Sequence, residues 1–385
     1  MSSKPVIKPR LEGVLLRLLP LFAVLLAFVV GAAMLLALGA NPLTAYLALL
    51  DGAFGSVNAL AETTVKAIPL LLVGIGITIS FRAKVINIGG EGQIVVGALA
   101  ATAVALTWPN LPPIIMIPLT LLTGFVAGGL YGALPGALKA YFQVNEILST
   151  IMLNIVAVQA MNFLLRGILI DPQQAQLGAR IPQTMRLPES ADLPILIPGT
   201  RLHAGVIIAI LAAVAVYIFL WRTTLGYRIR AVGLNPDAAR YAGIHVKRYI
   251  VLALTLSGAF AGLAGAILVF GSESHRMVTD GSTTGFTGSA GFNGIVAALF
   301  GGLHPIGTIP ASFLFGALIV GANKLQRVAQ VPSALITALN GLVVVFVVSI
   351  ENWRNRQVAA RITANSEPAT IDSSDSAGAA TIGID

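Results

Sequence analysis

Long runs of apolar residues separated by short polar segments dominate the pattern along this chain of 385 residues. A helix needs about 20 consecutive apolar residues to cross a bilayer, and lipid allows only helices or closed barrels to span it. These runs are far longer than barrel strands. The pattern predicts an all-α, polytopic transmembrane bundle of about ten spans, one of them short or re-entrant: 14–38, 63–81, 88–107, 113–138, 146–170, 203–221, 249–270, 291–303, 306–323 and 331–350.

Glycines interrupt this apolar pattern at residues 87–93, 285–294 and 301–307. Interrupted hydrophobic segments indicate a transporter's central site, because freed backbone groups are tolerated in a membrane only where they face protein or water. Buried polar side chains in such segments are costly and usually functional. We therefore predict that Asn87, Glu91, Gln93 and Asn293 lie along a substrate path.

Two further polar residues, Asn145 and Glu146, precede an apolar run, and we add them to the predicted substrate path. A structural alternative stays open for them, since they could be the cap and first-turn acid of a helix at the membrane surface. Glu91 could likewise lie in the first turn of a helix that begins after Gly90, where a carboxylate complements the helix dipole. Asn154 lies within a predicted span, and it could form a hydrogen bond to another helix rather than contact the solute.

Composition and charge support a membrane protein. Only 10% of the residues are charged and the mean hydropathy is +0.86, whereas soluble domains carry roughly 25% charged residues. The net charge of +8 comes from scattered Lys and Arg without a basic stripe, so we expect no nucleic-acid partner. With a cytoplasmic N-terminus, 16 of the 24 cations lie inside, which favours cytoplasmic placement of both termini.

This orientation divides the chain into four segments. Residues 1–13 form a cytoplasmic N-terminus, and residues 14–350 form the transmembrane domain. Within that domain, residues 222–248 form a cytoplasmic loop, which we call the coupling loop. Residues 351–385 are rich in small and polar types, and we expect them to be a disordered cytoplasmic tail.

The coupling loop carries a clear short-helix signal. Asn235 is a good N-cap, Pro236 suits the first helical position and Asp237 suits the first turn. Ala238 and Ala239 would form a small face, and Gly243 can end the helix. The sequence predicts about two helical turns that can dock into a groove of another protein. The alternative is an interfacial helix whose Arg residues rest on anionic lipid.

The segment GLNPDAARYAGI at 233–244 resembles the coupling motif of permeases in ABC importers for branched-chain amino acids, ribose-type sugars and nucleosides. The segments NIGGEGQIVVGALAA, VNEILSTIMLNIVA and FNGIVAALFGGLHPIGTIPASFLFGALIVGA are similar to the nucleoside-type members. The resemblance covers about residues 64–350. It implies a multi-pass permease of the bacterial plasma membrane that imports nucleosides or related small polar solutes.

The resemblance also implies partners. They are an ABC ATPase subunit that docks on Asn235, Pro236, Asp237, Ala238, Ala239 and Gly243, a paralogous second permease chain, and a solute-binding lipoprotein or periplasmic protein. Membrane lipid surrounds the chain. No G-x-x-x-x-G-K-[ST] phosphate loop occurs in the sequence, so we expect no bound cofactor and no ATPase site, with ATP used by the partner subunit.

The sequence leaves two other functions to consider. A secondary, ion-coupled transporter of a small polar solute is the main alternative, although none of the aspartates lies within an apolar run and proton relays need buried carboxylates or histidines. A membrane enzyme is disfavoured, because the four histidines are dispersed near span ends and neither H-E-x-x-H nor G-x-S-x-G occurs. We expect no metal site and no catalytic residue.

Overall fold

A computed structural model describes residues 25–173, 181–272, 274–282, 285–332 and six further positions, 338, 341, 342, 345, 346 and 349. The helices in this part are α1 (Leu25–Ala37), α2 (Pro42–Phe54), α3 (Val57–Arg82), α4 (Gly90–Thr107), α5 (Pro113–Phe142), α6 (Glu146–Arg166), α7 (Gly205–Arg222), α8 (Thr224–Leu234), α9 (Pro236–Tyr241), α10 (Val246–Phe270), α11 (Ala290–Phe300) and α12 (Pro305–Ala329). The all-α class is confirmed.

Seven helices are long and apolar enough to cross a membrane: α3, α4, α5, α6, α7, α10 and α12. They match seven predicted spans. The short predicted segment 291–303 is the short helix α11, which at 11 residues is about 16 Å long and cannot cross a bilayer of roughly 30 Å. The chain is therefore a multi-pass membrane protein, and its total of ten spans stays a prediction.

The two ends of the chain differ from the simple run of spans. Within the predicted span 14–38, the described part is α1, which ends at Ala37, and a separate helix α2 follows that the apolar pattern did not predict. Most of the predicted span 331–350 lies outside the described residues. The predicted N-terminal segment 1–13 and the tail 351–385 lie outside them too.

Glycine contacts hold the centre of the bundle together. α5 packs on α10 through Gly128, which faces Gly258 and Gly262, and α4 joins them through Gly97, which faces Gly262. A Cβ atom built on Gly128 or Gly97 would collide with the backbone of the facing helix. Such contacts matter in lipid, where helices gain little from the hydrophobic effect and associate by close packing.

One end of the bundle gathers the coupling loop and two other connections. Arg82, the last residue of α3, donates two hydrogen bonds to the carbonyl of Leu303 between α11 and α12, at 3.2 and 2.9 Å. Its guanidinium lies 5.3 Å from the Trp221 ring near the end of α7. These contacts fix the last turn of α3 beside the coupling loop. The first half of α3 therefore lies toward the opposite end of the bundle.

Candidate functional site

Two short stretches of polypeptide return to the middle of the bundle. The first follows α3 and brings the start of α4 to the level of Val73, nine residues before α3 ends. This placement is shown by Gly90, where a Cβ atom would touch both Val73 and Gly291. The second precedes α11, whose Gly291 lies against Gly90 and Glu91. The N-termini of α4 and α11 therefore meet inside the bundle, where each has backbone N–H groups without a partner in its own helix.

Neither helix is capped by its own preceding residue. The N-cap positions are Gly89 for α4 and Ser289 for α11, and neither makes a side-chain cap. Instead, the Oδ1 atom of Asn154 on α6 accepts a hydrogen bond from the N–H of Gly92 at 2.8 Å. The Oε1 atom of Glu91 accepts one from the N–H of Phe292 at 3.1 Å.

These two contacts form a sequence of caps that runs from α6 to α4 to α11. In each case the capped amide belongs to the third helical residue, which is a usual position for an N-cap interaction. Glu91 also lies in the first turn of α4, so its carboxyl group lies at two positive helix ends. The Nδ2 atom of Asn154 also donates a hydrogen bond to the carbonyl of Ile88 at 2.9 Å.

A polar network adjoins the two helix ends. The Nδ2 atom of Asn87 donates to Gln93 at 3.0 Å and to the hydroxyl of Ser257 on α10 at 2.8 Å. Its Oδ1 atom accepts from the N–H of Gly89 at 2.8 Å and from Gln93 at 3.2 Å. We call the five residues Asn87, Glu91, Gln93, Asn154 and Ser257 the central polar cluster, and all of them are buried.

The central polar cluster includes three residues of the predicted substrate path, Asn87, Glu91 and Gln93. Ser257 was missed, since nothing in its glycine-rich and apolar surroundings on α10 distinguishes it from a packing residue. The sequence indicates that Asn154 could be an interhelical hydrogen-bond partner, and its contacts to Gly92 and Ile88 have that character.

The other three predicted path residues lie elsewhere or are only partly buried. Asn145 caps its own helix by accepting from the N–H of Ile147 at 2.9 Å. Glu146 forms an ion pair with Lys139 at 2.8 Å. Asn293 is half-buried in the second turn of α11. The first two have the cap and first-turn geometry of the structural alternative, and solute contact by all three stays a prediction.

The coupling loop forms two helices. Asn235 caps α9 by accepting from the N–H groups of Asp237 and Ala238, both at 3.0 Å, and Pro236 takes the first helical position. Gly243 follows with φ +78°, a conformation that favours glycine. The short capped helix is thus present as its sequence predicted, whereas α8 in front of it was not predicted.

α8 and α9 hold the coupling loop against the bundle. Gly233 near the end of α8 lies so close to the backbone of Arg82 that a side chain would collide there. Ala239 faces inward and is buried, whereas Ala238 is exposed. Leu234 is 84% exposed and Tyr241 is 94% exposed. The loop therefore presents apolar side chains outward from a firmly placed short helix.

A bundle of long apolar helices, with buried polar helix ends at its centre and a helical loop fixed to one end, is the architecture of a multi-pass membrane transport protein. The comparisons with known proteins specify the class further. The chain belongs to the family described as branched-chain amino acid transport system permease component, whose model matches residues 59–348.

Individual relatives are similar over most of their length. The guanosine ABC transporter permease protein NupP of Bacillus subtilis is 38% identical over 86% of this chain and 93% of its own. The glucose ABC transporter permease protein TsgB13 of Haloferax volcanii is 34% identical over 88% and 89%. A second Bacillus subtilis guanosine permease protein, NupQ, is 31% identical over 66% and 78%. No solved structure matches the chain.

Proposed function

We propose that this chain is a permease subunit of an ABC importer in the bacterial plasma membrane, which moves nucleosides or related small polar solutes into the cell. The proposal includes an ATPase subunit on the coupling loop, a second paralogous permease chain and an external solute-binding lipoprotein or periplasmic protein. The chain itself binds no cofactor, and both of its termini are cytoplasmic.

The observation that carries this proposal is a continuous connection between α9 and the central polar cluster. α9 ends five residues before α10 begins at Val246, and Ser257 of the cluster follows eleven residues later on that same helix, about 16 Å along its axis. A partner that pushes on α9 would therefore tilt α10 and disturb the hydrogen bond between Ser257 and Asn87. Alternating access in transporters uses such movements of helices around a central site.

The choice of solute rests on similarity. NupP and NupQ are described as guanosine permease proteins, whereas TsgB13 is described as a glucose permease protein. The segments that resemble nucleoside-type permeases include residues of the central polar cluster. Neutral amide and hydroxyl groups prevail there, which suits an uncharged polar solute, and we therefore favour nucleosides.

Reconstitution tests this function. The chain, its paralogous permease and the ATPase are placed in proteoliposomes with the solute-binding protein outside, and uptake of radiolabelled guanosine is measured with and without internal ATP. We expect uptake only with ATP and with all the subunits. Uptake by the isolated chain that is driven by an ion gradient would contradict the proposal and would indicate a secondary transporter.

Thermal-shift measurements on the solute-binding protein address the solute independently. We expect nucleosides to raise its melting temperature, and glucose and branched-chain amino acids to leave it unchanged. A shift with glucose alone would contradict the nucleoside assignment while leaving the importer class in place.

A further inference from the structure

A cavity of about 500 Å³ lies beside the turn that joins α9 to α10. Its walls come from the end of α9, the first turn of α10 and Tyr141 in the last turn of α5. Because the long apolar helices α5 and α10 end and begin there, the cavity lies where the bundle meets the lipid headgroups on the coupling-loop side. The ring of Tyr141 fits this placement, since tyrosine is enriched at membrane–water interfaces.

The charge in this cavity is positive. The described residues that line it include no acid and three cations, which are Arg240, Lys247 and Arg248. Arg240 forms an ion pair with Asp237 at 3.4 Å. Lys247 and Arg248 are exposed, and neither forms an ion pair within the part of the chain that the structure describes. Two positive charges in the cavity therefore await an anionic partner from outside the chain.

The position of these two cations on α10 makes their charge less favourable still. The helix begins at Val246, so Lys247 and Arg248 lie in its first turn, at the positive end of the helix dipole. That turn contains no acid, and His245 at the N-cap position makes no side-chain cap. Cations are stabilised at the opposite end of a helix. A bound anion would therefore offset both the side-chain charges and the dipole.

The cavity continues onto an apolar strip of α5. The Nζ atom of Lys247 lies 5.4 Å from the centre of the Tyr141 ring, so the ammonium group and the ring share one wall. Leu134, Leu138 and Tyr141 follow one another at spacings of four and three residues and lie on one face of α5. All three are exposed. The strip is about 10 Å long, and it leads from the cavity toward the middle of the membrane.

We propose that this cavity binds the headgroup phosphate of an anionic phospholipid, with Lys247 and Arg248 as the phosphate ligands and the strip on α5 as the surface for an acyl chain. A dissolved phosphate would use only the cations, whereas a lipid uses the cations and the apolar strip together. Basic pockets at the ends of membrane helices typically bind anionic headgroups. The bound lipid would join the end of α5 to the start of α10, directly beside the coupling loop.

Fluorescence quenching by labelled lipid tests the site. The chain contains no cysteine, so Leu134→Cys supplies a single thiol on the strip for a bimane fluorophore. The labelled full chain is placed in phosphatidylcholine vesicles with increasing fractions of phosphatidylglycerol or phosphatidylcholine that carries a quenching doxyl group on its acyl chain. We expect half of the maximal quenching at an about fivefold lower fraction of the phosphatidylglycerol than of the phosphatidylcholine.

Paired substitutions in the Leu134→Cys chain assign the headgroup contact. Lys247→Gln with Arg248→Gln removes both unpaired cations, and the preference for phosphatidylglycerol should fall below about twofold. Lys84→Gln with Arg222→Gln is the matched control, because both are exposed cations at the same end of the bundle but outside the cavity. It should keep the preference of the parent, as should Lys247→Arg with Arg248→Lys, which conserves the charges. Intrinsic tryptophan fluorescence during heating verifies that each variant is folded.

Three outcomes would overturn the proposal. Equal quenching by the two lipids would show that the cavity does not select an anionic headgroup. An equal loss of preference in the two glutamine pairs would assign the effect to the general surface charge of this end of the bundle. A preference that disappears when glycerol phosphate is added in millimolar amounts would assign the cavity to a dissolved phosphate. The lipid site does not depend on which solute the chain transports, so uptake measurements judge the proposed function separately.

Discussion

The central polar cluster and the coupling loop solve the same problem in different ways. Both contain a helix whose first amides need acceptors. On the exposed loop, Asn235 caps its own helix through contacts two and three residues away. In the bundle, Asn154 and Glu91 cap other helices across 62 and 201 residues of sequence. Water can replace a lost cap at the surface, whereas lipid and protein cannot replace one inside the membrane.

This difference gives the two regions separate roles. The buried caps connect α6, α4 and α11, so they stabilise the bundle and hold the two interrupted segments together. The exposed cap shapes only the surface that a partner would contact. Changes in the central polar cluster should therefore lower stability first, and changes in the coupling loop should affect coupling while the bundle stays intact.

The largest effect is expected for Glu91→Leu. The substitution removes the acceptor for the N–H of Phe292 and leaves this helix-end donor without its partner inside the bundle, which costs up to about 3 kcal/mol. The melting temperature of the purified chain in detergent, followed by tryptophan fluorescence, measures this loss.

Asp237→Leu is the matched control for this substitution. Asp237 is the first-turn acid of α9, its side chain is 79% exposed, and it forms an ion pair with Arg240 at 3.4 Å. We expect a change below about 0.5 kcal/mol, since exposed ion pairs contribute little. Equal losses in the two variants would remove the distinction between buried and exposed acids.

Asn154→Ala should have the second-largest effect. It removes the acceptor for Gly92 and the donor for Ile88 together, and two buried backbone groups then lack partners, at a cost of about 2 kcal/mol. The same thermal measurement applies. Asn323→Ala, at an exposed position on α12, is the control and should leave the melting temperature unchanged. An unchanged Asn154→Ala chain would show that α4 needs no cap from α6.

The contrast also explains which features could be predicted from the sequence. The Asn235 cap and the turn at Gly243 depend on neighbouring residues, so the pattern NPDAARYAG suffices to predict them. The seven long spans follow from local apolar runs in the same way. The break before α4 was predicted from its glycines, but the partner of Glu91 was not, because that contact joins residues 91 and 292.

The side chains that the sequence did not predict are those whose contact partners lie far away along the chain. Ser257 lies among glycine and alanine on α10, and only the fold brings it to Asn87. His203 is one of the four histidines that lie near span ends in the sequence, and only the fold shows that it is buried in the wall of a cavity. α2 and α8 were missed because neither is long and apolar enough for the span criterion.

Gly243→Val should affect coupling more than stability. Valine is strained at φ +78°, by about 1–3 kcal/mol locally. No atom of the described residues lies within 4 Å of the Cβ position of Gly243, so the exposed turn after α9 can rearrange without unfolding the bundle. In reconstituted transporter, we expect ATP hydrolysis to continue while guanosine uptake falls about fivefold or more. The ratio of solute taken up to ATP hydrolysed is the measurement.

Gly199→Val is the control for that strain. Gly199 also has φ +78° and an unobstructed position, but it lies in the segment before α7, away from the coupling loop. We expect its uptake per ATP to match the wild type. If both valine variants uncouple transport equally, backbone strain in general is responsible and the coupling loop has no special part.

The smallest effect is expected for Asn235→Ala, which removes the cap of α9 and costs about 1 kcal/mol. Because water can reach the freed amides of Asp237 and Ala238, the bundle should melt at the wild-type temperature, whereas α9 should be ordered less often. Affinity for the ATPase subunit, measured by titration of the purified permease in nanodiscs, should fall about fivefold. Asn235→Ser keeps a capping oxygen and should restore most of that affinity. If alanine and serine weaken binding equally, the amide of Asn235 contacts the partner directly, and its capping of α9 is secondary.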